Sequence, residues 1–454
     1  MNRRSARSNG APAPEAHEAA EPASKGEITP LPLVGSVAVP GDKSISHRAL
    51  ILSALADGPA VVSNLNPGDD VRATCDVLRQ LGVLCEAVAK DVVEVQGCGL
   101  SRLREPDNVL DAHNSGTTIR LGLGLLAGAP LGAVVTGDAS LRGRPMRRVV
   151  EPLRRLGAEI DGRHNGDRAP LWVRGRSLRG ADIVTEVASA QVKGAVLLAA
   201  LGATGTTSVT EPAPSRDHTE RMLAAAGVVL DRNGPTVSVA GGQELRAMNR
   251  RVPGDVSSAM YLIVAAALIG GSNLEITDVG LNPTRCGGLE VLADMGADLR
   301  AEVLAQWGGE PVGRVTVRTS ELHGADIDPA LVPSLVDELP VLAVAASQAR
   351  GTTVIAGAQE LRVKESDRID VLATGLRQLG ADVETRPDGL VVRGPARLRS
   401  AAVDARGDHR MALSFAVAGL ISGREVEIKG WESVAVSFPS WSEVLSMATG
   451  GGPG

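Results

Sequence analysis

Acidic and basic side chains are crowded together between residues 361 and 368 of the 454-residue sequence. The segment holds two acids and three cations, which are Arg362, Lys364, Glu365, Asp367 and Arg368. A solvated helix face can carry such a mixture, but basic residues beside an acid or a hydroxyl also occur in Pro40–Arg48 and in Asp408–Arg410. Three clusters of cations, each beside an acid or a hydroxyl, predict a site that binds several anionic groups.

The segment Pro40–Arg48 favours an anion site at the start of a helix. Backbone N–H groups at a helix start attract anions, and Lys43, Ser44 and Arg48 add charge and hydrogen-bond donors. We expect Ser44 to cap this helix. The turn is not a Walker A loop, because Asp42 and not glycine precedes Lys43. A capped helix with solvated basic residues remains an alternative.

Four further turns combine small, polar and basic residues before apolar stretches. They are Asn114–Arg120, Arg142–Arg148, Ser189–Lys193 and Ser215–His218. Such turns suit anionic or hydroxyl groups, although a plain capped helix start or a solvated basic loop fits each of them as well. Pro145 suits the first position of a helix, and we therefore expect Arg144 at that helix's N-terminal mouth.

The acid Asp337 stands shortly before the apolar stretch Val341–Ala346. An acid at a helix entrance usually does no more than complement the helix dipole. In a cationic pocket, however, Asp337 would stay ionised and could act as a general base. The residues alone leave both interpretations open.

The composition is that of a soluble globular protein with an aliphatic core. The chain is 43% hydrophobic and 22% charged, and only 2% of it is aromatic. The net charge of −6 disfavours a nucleic-acid surface. The four cysteines lack CxxC spacing, so we expect small buried residues in a reducing compartment and neither a disulfide framework nor a metal site.

The N-terminal residues 1–26 are predicted to be a disordered tail, because they contain almost no large apolar side chain. They lack the apolar segment of a secretory signal. No stretch of the chain reaches the roughly 18 apolar residues that a membrane helix needs. We expect a cytoplasmic protein that contacts neither a membrane nor nucleic acid.

A repeated pattern organises the chain. An apolar helical stretch, a glycine and a short β-like run recur around Gly82, Gly157, Gly227, Gly296 and Gly380. Each glycine suits the position just after a helix, where φ is positive. The spacings of 75, 70, 69 and 84 residues are too long for a solenoid and indicate a repeated α+β unit.

A longer repeat indicates two similar lobes. Val39–Ser44 and Val252–Ser257 share a Val-Pro-Gly-Asp turn, and each turn opens an apolar helix. Either these are ordinary helix entries, or they mark the two crossovers between the lobes.

Taken in order, the motifs resemble those of the enolpyruvyl transferases, most closely the branch that acts on shikimate 3-phosphate. The resemblance runs from about Leu33 to about Trp441. It is carried by Pro40–Arg48, Asn114–Thr118, Gly137–Met146, Ser189–Lys193, Leu361–Arg368 and Asp408–Arg410. It implies an α/β (α+β) fold of two lobes, an inside-out barrel in which each lobe holds three βαβαββ repeats. Residues 27–41 with 254–450 would form lobe I, residues 42–253 would form lobe II, and the active site would lie in the cleft between them.

The resemblance also implies a reaction. The enolpyruvyl (carboxyvinyl) group of phosphoenolpyruvate would pass to the 5-hydroxyl of shikimate 3-phosphate, on the way to chorismate and the aromatic amino acids. Asp337 would be the base and Glu365 the acid, with Lys364 assisting. Neither a metal nor an organic cofactor is expected, and the two substrates are the expected partners of a monomer.

The same resemblance implies the residues of two substrate sites. Shikimate 3-phosphate would be held by Lys43, Ser44, Arg48, Ser189, Gln191, Arg216, Asp337 and Lys364. Phosphoenolpyruvate would be held by Lys43, Asn114, Gly116, Thr117, Arg144, Gln191, Arg368, His409 and Arg410.

Two positions depart from the family pattern. His113 stands where members often carry glycine, beside the expected phosphoenolpyruvate pocket. Ala435–Ser437 lacks a lysine that some members carry before the final Phe-Pro, and Lys193 is a candidate replacement for that cation. Gly116 leaves room for the herbicide glyphosate, whereas Ala190 and Arg216 resemble less sensitive members, so the herbicide response stays open.

Three other functions are weighed against this one. The sister enzymes that use UDP-N-acetylglucosamine carry Lys-Asn in place of Lys43-Ser44 and usually a cysteine on the loop Gly137–Pro145, which has none here. A non-catalytic paralogue would bind only a phosphorylated ligand, and the presence of Asp337 and Glu365 speaks against it. A paralogue with another acceptor is the third alternative.

Overall fold

The computed structural model describes residues 29–451 of the chain. The predicted disordered tail, residues 1–26, lies outside these described residues.

The first part of the chain, up to residue 253, alternates helices with short strands. Its main helices are Lys43–Leu55, Asp69–Gln80, Gly116–Gly128, Ala139–Gly143, Arg147–Arg155, Ala190–Ala200 and His218–Ala225. Its strands after Val34–Ala38 are Ala56–Ser63, Leu84–Ala89, Val92–Cys98, Leu110–Asp111, Gly132–Thr136, Glu159–Gly162, Arg168–Arg174, Leu178–Arg179, Asp182–Val184, Ala203–Thr204, Thr206–Thr210, Leu230–Asn233, Thr236–Ala240, Leu245–Arg246 and Arg250–Arg251.

The second part repeats this alternation. Its helices are Val256–Leu268, Gly287–Asp294, Val332–Leu335, Leu339–Gln348, Arg368–Gln378, His409–Ser422 and Trp441–Ala448. Its strands are Asn273–Gly280, Asp298–Trp307, Glu310–Arg318, Asp326–Ile327, Gly351–Ile355, Asp382–Arg386, Gly389–Gly394, Ala401–Asp404 and Val426–Lys429.

One folding unit accounts for both parts. In residues 110–174, for example, Leu110–Asp111 pairs in parallel with Gly132–Thr136, and helix Gly116–Gly128 connects them. A second helix then leads to Glu159–Gly162 and Arg168–Arg174, and the last strand pairs antiparallel with both of its neighbours. The order first, second, fourth, third strand recurs in the other four-stranded sheets, so the predicted βαβαββ unit is confirmed.

The sixth copy of the unit differs from the expected three full copies per lobe. Ala401–Asp404 and Val426–Lys429 pair in parallel around helix His409–Ser422. Within the described residues, helix Trp441–Ala448 follows these strands and no antiparallel strand pair is added. This copy therefore lacks the helix–glycine–strand junction that the other five share.

Those five junction glycines adopt the predicted conformation. Their φ angles lie between 85° and 102°, a region that is strained for residues with a Cβ atom. They are Gly82, Gly157, Gly227, Gly296 and Gly380. Each follows the last turn of a helix, as expected from the pattern.

Two separate hydrophobic cores divide the chain. One core is built from residues between Ile45 and Val252, and the other joins Leu33–Val39 to residues between Val256 and Ala448. We call the residues around the first core lobe II and those around the second core lobe I. Strand Val34–Ala38 belongs to the second core because it pairs in parallel with Asn273–Gly280. The predicted lobe boundaries at residues 41–42 and 253–254 stay a prediction that these two cores support.

The two Pro-Gly-Asp turns lie side by side where the chain passes between the cores. Asp42 N donates to Pro253 O at 2.7 Å, and Asp255 N donates to Pro40 O at 2.8 Å. Gly41 has no space for a side chain, because a Cβ atom there would lie 1.8 Å from Asn64 O. The turns therefore join the lobes through paired backbone and are more than ordinary helix entries.

The expectation that Ser44 caps its helix is wrong. The cap is Asp42, whose side chain accepts a hydrogen bond from Ile45 N, and Asp255 caps the equivalent helix Val256–Leu268 by accepting one from Ser257 N. The carboxylate takes the cap because it directly precedes the first helical turn. Ser44 is consequently free to face the space between the lobes.

Within residues 29–451, no single helix is both long and apolar enough to cross a membrane. The pair Pro329–Leu335 and Leu339–Gln348 passes the length and composition test only jointly, and it is bent by 117°.

Candidate active site

A polar cleft lies between the two lobes. Fifteen of the sixteen predicted site residues line it, namely Lys43, Ser44, Arg48, Gly116, Thr117, Arg144, Ser189, Gln191, Arg216, Asp337, Lys364, Glu365, Arg368, His409 and Arg410. The sixteenth, Asn114, does not line the cleft, but its Oδ1 accepts a hydrogen bond from Arg144 Nη2 at 2.5 Å. Asn114 thus holds a lining residue in place.

Lobe II contributes three helix starts to the cleft. Lys43 and Ser44 open helix Lys43–Leu55, Ser189 directly precedes Ala190–Ala200, and Arg216 precedes His218–Ala225 by two residues. The Ser189 side chain makes no capping hydrogen bond. Three helix starts therefore bring side-chain donors and positive charge to one cleft, which suits an anion.

Arg48 is the buried cation behind these helix starts. Its Nε donates to Thr219 Oγ1 at 2.8 Å, and its Nη1 donates to Ser44 O at 2.9 Å. Burial lowers the pKa of Arg48 to about 10, against the neighbouring Glu220 carboxylate, which raises it. The guanidinium still stays charged near neutral pH.

Asp337 from lobe I faces three arginines. Its Oδ2 lies 2.7 Å from Arg216 Nη2 of lobe II, and its Oδ1 lies 3.2 Å from Arg368 Nη1 and 3.4 Å from Arg410 Nε. Burial alone would raise the pKa of Asp337, but Arg410, Arg216 and further cations hold it well below its usual value. Asp337 is therefore ionised, and more than a helix-dipole partner.

Glu365 is the second carboxylate of the cleft. Its Oε2 lies 2.6 Å from Arg368 Nη2, and its Oε1 lies 3.3 Å from Arg144 Nη1 of the opposite lobe. Burial acts to raise the pKa of Glu365, whereas Arg368 and Arg144 hold it well below its usual value. As long as both arginines face it, Glu365 carries a negative charge.

A third pair of charges joins the lobes at Glu360, which sequence analysis did not single out. Its Oε1 lies 3.4 Å from Arg148 Nη1 of lobe II and 3.2 Å from Lys364 Nζ. Both Glu360 and Arg148 line the cleft. Lys364 thus pairs with Glu360, and its charge also helps to lower the pKa of Asp337.

The position of Arg144 differs from the predicted one. Arg144 lies between the short helix Ala139–Gly143 and helix Arg147–Arg155, so Pro145 does not open a helix. The second helix starts two residues later, at Arg147, where Asp167 Oδ1 accepts a hydrogen bond from Arg147 N at 3.0 Å. This placement leaves the Arg144 side chain, which is only 8% exposed, directed at Glu365.

His409 and Arg410 are the first residues of helix His409–Ser422, and Arg410 Nε lies 3.4 Å from Asp337 Oδ1. The preceding Asp408 caps that helix and also accepts a 2.7 Å hydrogen bond from Arg368 Nε. Burial, reinforced by Lys43 and Arg410, keeps the pKa of His409 well below its usual value. His409 is therefore a neutral ring in a cationic site.

Among residues 29–451, no group of three or more His, Cys, Asp or Glu side chains is arranged to hold a metal ion.

Comparison with known proteins decides the family. Residues 28–445 match the family model described as EPSP synthase (3-phosphoshikimate 1-carboxyvinyltransferase). The chain belongs to the EPSP synthase family. It is accordingly a transferase, and the resemblance inferred from its motifs is confirmed.

Curated relatives and solved structures agree with this assignment. The 3-phosphoshikimate 1-carboxyvinyltransferase of Gloeobacter violaceus is 53% identical over 415 residues, which cover 91% of this chain and 96% of that protein. The protein of the same name from Bacillus subtilis is 49% identical, covering 91% and 97%. The structure of EPSP synthase from Acinetobacter baumannii superposes with a TM-score of 0.84 at 40% identity, covering 93% and 97% of the two chains.

Sequence reasoning missed two arginines of this EPSP synthase cleft, Arg148 and Arg120. Arg120 is buried, lines the cleft and donates from Nη1 to Gln191 Oε1 at 2.8 Å. Burial, with Arg148 and Arg144, lowers the pKa of Arg120 to about 9. The sequence contained a sign of this position, because Arg120 lies about one helical turn after Gly116 and Thr117, two predicted site residues. A Cβ atom on Gly116 would lie 2.8 Å from Arg120 Nη1, so a side chain there would displace the end of this arginine.

The two departures from the family pattern lie outside the cleft lining. The His113 side chain is 61% exposed, and its φ is 49°, which glycine adopts more readily. Ser437 O accepts a 2.9 Å hydrogen bond from Asn66 Nδ2, so segment Ala435–Ser437 packs on lobe II. Lys193 does not replace the missing cation, because it is buried between Glu211 and Glu220 and does not reach the cleft.

Proposed function

We propose that this cleft transfers the enolpyruvyl group of phosphoenolpyruvate to the 5-hydroxyl of shikimate 3-phosphate, giving 5-enolpyruvylshikimate 3-phosphate and phosphate. One observation supports the proposal most strongly. The ionised Asp337 of lobe I meets Arg216 of lobe II at 2.7 Å, in a cleft that both lobes line with cations. A base that is held ionised among anion-binding groups is what this reaction requires.

Shikimate 3-phosphate is assigned to the lobe II side of the cleft. Its phosphate suits the converging helix starts, where Ser189, Ser44 and Arg216 supply donors and charge. Lys43, Arg48 and Gln191 complete the pocket from the same lobe. Asp337 and Lys364 reach in from lobe I, so the acceptor hydroxyl would lie between them.

Phosphoenolpyruvate is assigned to the space between Gly116 and the lobe I arginines. Arg144, Arg368 and Arg410 provide three cations for its carboxylate and phosphate groups. Lys43, Asn114, Thr117, Gln191 and His409 are the remaining members of this proposed site. Because Gly116 lacks a side chain, its backbone leaves room beside Arg120 and Arg144.

The proposed reaction has an addition and an elimination step. In the addition, Asp337 removes the 5-hydroxyl proton, the hydroxyl oxygen bonds to C2 of phosphoenolpyruvate, and C3 receives a proton from Glu365. In the elimination, the bond from C2 to the phosphate oxygen breaks and C3 gives a proton to the Glu365 carboxylate, which restores the double bond. The proton on Asp337 leaves with the departing phosphate. Arg144, Arg368 and Lys364 would stabilise the charge that develops on the departing phosphate.

The acid role requires that Glu365 change its protonation state. Arg368 and Arg144 keep it ionised when they face it. The anionic groups of phosphoenolpyruvate would compete for those same arginines and bring negative charge nearby, and both effects raise a carboxyl pKa. Substrate binding would thus convert Glu365 into a proton donor.

We further propose that the protein works as a cytoplasmic monomer, with the two substrates as its partners and without a metal or an organic cofactor. The test of function is phosphate release by the purified protein with phosphoenolpyruvate and each of three acceptors: shikimate 3-phosphate, shikimate and UDP-N-acetylglucosamine. Turnover with shikimate 3-phosphate alone supports the proposal. Turnover with another acceptor, or binding without turnover, contradicts it.

A further inference from the structure

A buried cluster of charges lies behind the proposed phosphate pocket, and the mechanism above does not use it. Lys193 Nζ is 2.6 Å from Glu211 Oε2 and 2.9 Å from Glu220 Oε1. The three side chains are only 5%, 4% and 1% exposed. None of them lines the cleft.

A contribution to the free energy of unfolding does not by itself explain why the protein has such a buried cluster. Removing charges from water costs free energy, and well-packed apolar side chains often replace a buried ion pair without loss of stability. The contacts of the cluster indicate instead that it fixes the positions of the turns around Ser189 and Ser215.

Glu211 connects two turns that line the cleft. Its Oε1 accepts a hydrogen bond from Ser189 N at 2.9 Å, and its Oε2 accepts one from Ser215 Oγ, also at 2.9 Å. Ser189 opens helix Ala190–Ala200, whereas Ser215 lies next to Arg216. One carboxylate, fixed by Lys193, therefore sets the spacing of the Ser189 turn and the Ser215–Arg216 turn.

The third helix start is tied to the same place through Arg48. Arg48 Nη2 donates to Ala190 O at 3.3 Å, and its Nε donates to Thr219 Oγ1 at 2.8 Å. Thr219 directly precedes Glu220, the second carboxylate on Lys193. The donors proposed for the phosphate group are thus connected through the buried side chains of Glu211 and Arg48.

We propose that Glu211, held by Lys193, is a positioning residue for binding of the shikimate 3-phosphate phosphate group. It touches no substrate and acts through Ser189 and the Ser215–Arg216 turn. A compact tetrahedral anion is bound well only by donors held at fixed distances, and buried second partners supply that rigidity. This inference rests on the proposed substrate site, in which Ser189 and Arg216 face the phosphate.

The test is Glu211→Gln in the full chain, which keeps the size of the side chain and removes its charge. We expect the KM for shikimate 3-phosphate to rise about tenfold, as is typical when the partner of a binding group is lost. The kcat and the KM for phosphoenolpyruvate should stay within about twofold of wild type. Charge alone predicts the opposite sign, because removal of a nearby negative charge should tighten binding of an anion.

Two variants make the result specific. Val209→Ala, in the same core and fully buried, controls for lost stability, and it should lower the thermal midpoint without changing the KM for shikimate 3-phosphate. Glu211→Asp retains the charge beside Lys193 but withdraws the carboxylate from both serines. It should also raise that KM, and it carries the test if Glu211→Gln does not fold.

Ser189→Ala separates failure of this inference from failure of the site. If Ser189→Ala raises the KM for shikimate 3-phosphate but neither Glu211 variant does, the positioning role is overturned and the site stands. If Ser189→Ala leaves that KM unchanged, the phosphate assignment fails and the positioning role fails with it. A uniform loss of kcat in Glu211→Gln, with both KM values unchanged, also overturns the inference.

Discussion

Glu365 Oε2 lies 2.6 Å from Arg368 Nη2, and both residues belong to the charged segment of residues 361–368. Glu365 lies three residues before Arg368, which opens helix Arg368–Gln378, and Arg144 of the opposite lobe reaches the other carboxylate oxygen at 3.3 Å. The candidate proton donor is therefore bound to the two cations that are also proposed to hold phosphoenolpyruvate. The proposed roles of these residues therefore predict that substrate binding and acid catalysis are coupled.

The pH dependence of kcat tests that coupling. In the complex with both substrates, Glu365 must be protonated to act, and we expect its pKa to have risen. The kcat should accordingly fall as the pH rises through that pKa. Glu365→Gln should lower kcat about a hundredfold or more and remove this descending limb. A kcat limb that persists unchanged in Glu365→Gln would assign the titration to another group.

The two substrate sites should be separable by arginine substitutions. Lysine keeps the charge but loses the bidentate geometry of a guanidinium. Arg144→Lys should raise the KM for phosphoenolpyruvate about tenfold, equivalent to about 1.4 kcal/mol, and affect shikimate 3-phosphate little. Arg216→Lys should show the reverse pattern. Steady-state kinetics with each substrate varied in turn measures both, and equal effects of both variants on both substrates would contradict the assignment.

Two buried histidines predict that acid weakens the fold. Burial, with Lys43, keeps the pKa of His47 and of His409 well below 6.5 in the folded protein. Below pH 6.5 the unfolded chain therefore binds protons that the folded chain does not, so stability falls as the pH falls. Each histidine contributes up to about 1.4 kcal/mol per pH unit.

Urea unfolding at pH 7, 6 and 5 measures this slope. His47→Gln should reduce it by one histidine's share, because the ring that pairs with Thr74 Oγ1 at 2.7 Å is gone. The exposed His323 provides the control, and His323→Gln should leave the slope unchanged. An unchanged slope in His47→Gln would mean that this ring does not stay neutral in the folded state.

The departure at His113 should be without effect on catalysis. Its ring is 61% exposed and does not line the cleft. We expect His113→Gly to leave the KM for phosphoenolpyruvate within about twofold of wild type, the scale of an ordinary surface substitution. A large improvement in that KM would show that the ring reaches the pocket.

Local chemistry explains how much the sequence could predict. The junction glycines were predictable because a positive φ after a helix has few other solutions. The cationic clusters were recognisable because charge stands out in an aliphatic chain. Fifteen of the predicted site residues line one cleft, and most of them lie in or just before the first turn of a helix.

The errors came from contacts between residues distant in sequence. Lys193 looks like a free cation, but its two glutamates come from later segments of the chain. The interlobe pair of Arg148 and Glu360 spans 212 residues. At Ser44 the error was local. Asp42, two residues earlier, is the residue whose side chain accepts the capping hydrogen bond from Ile45 N.

The measurement that tests the central claim most directly is phosphate release by wild type and Asp337→Asn at saturating phosphoenolpyruvate and shikimate 3-phosphate, near pH 7. The substitution keeps the shape of the side chain but removes the base that Arg216, Arg368 and Arg410 hold ionised. The proposed mechanism predicts turnover by the wild type and a kcat at least about a hundredfold lower in the variant. Equal kcat values for the two proteins, or no turnover by the wild type, would contradict it.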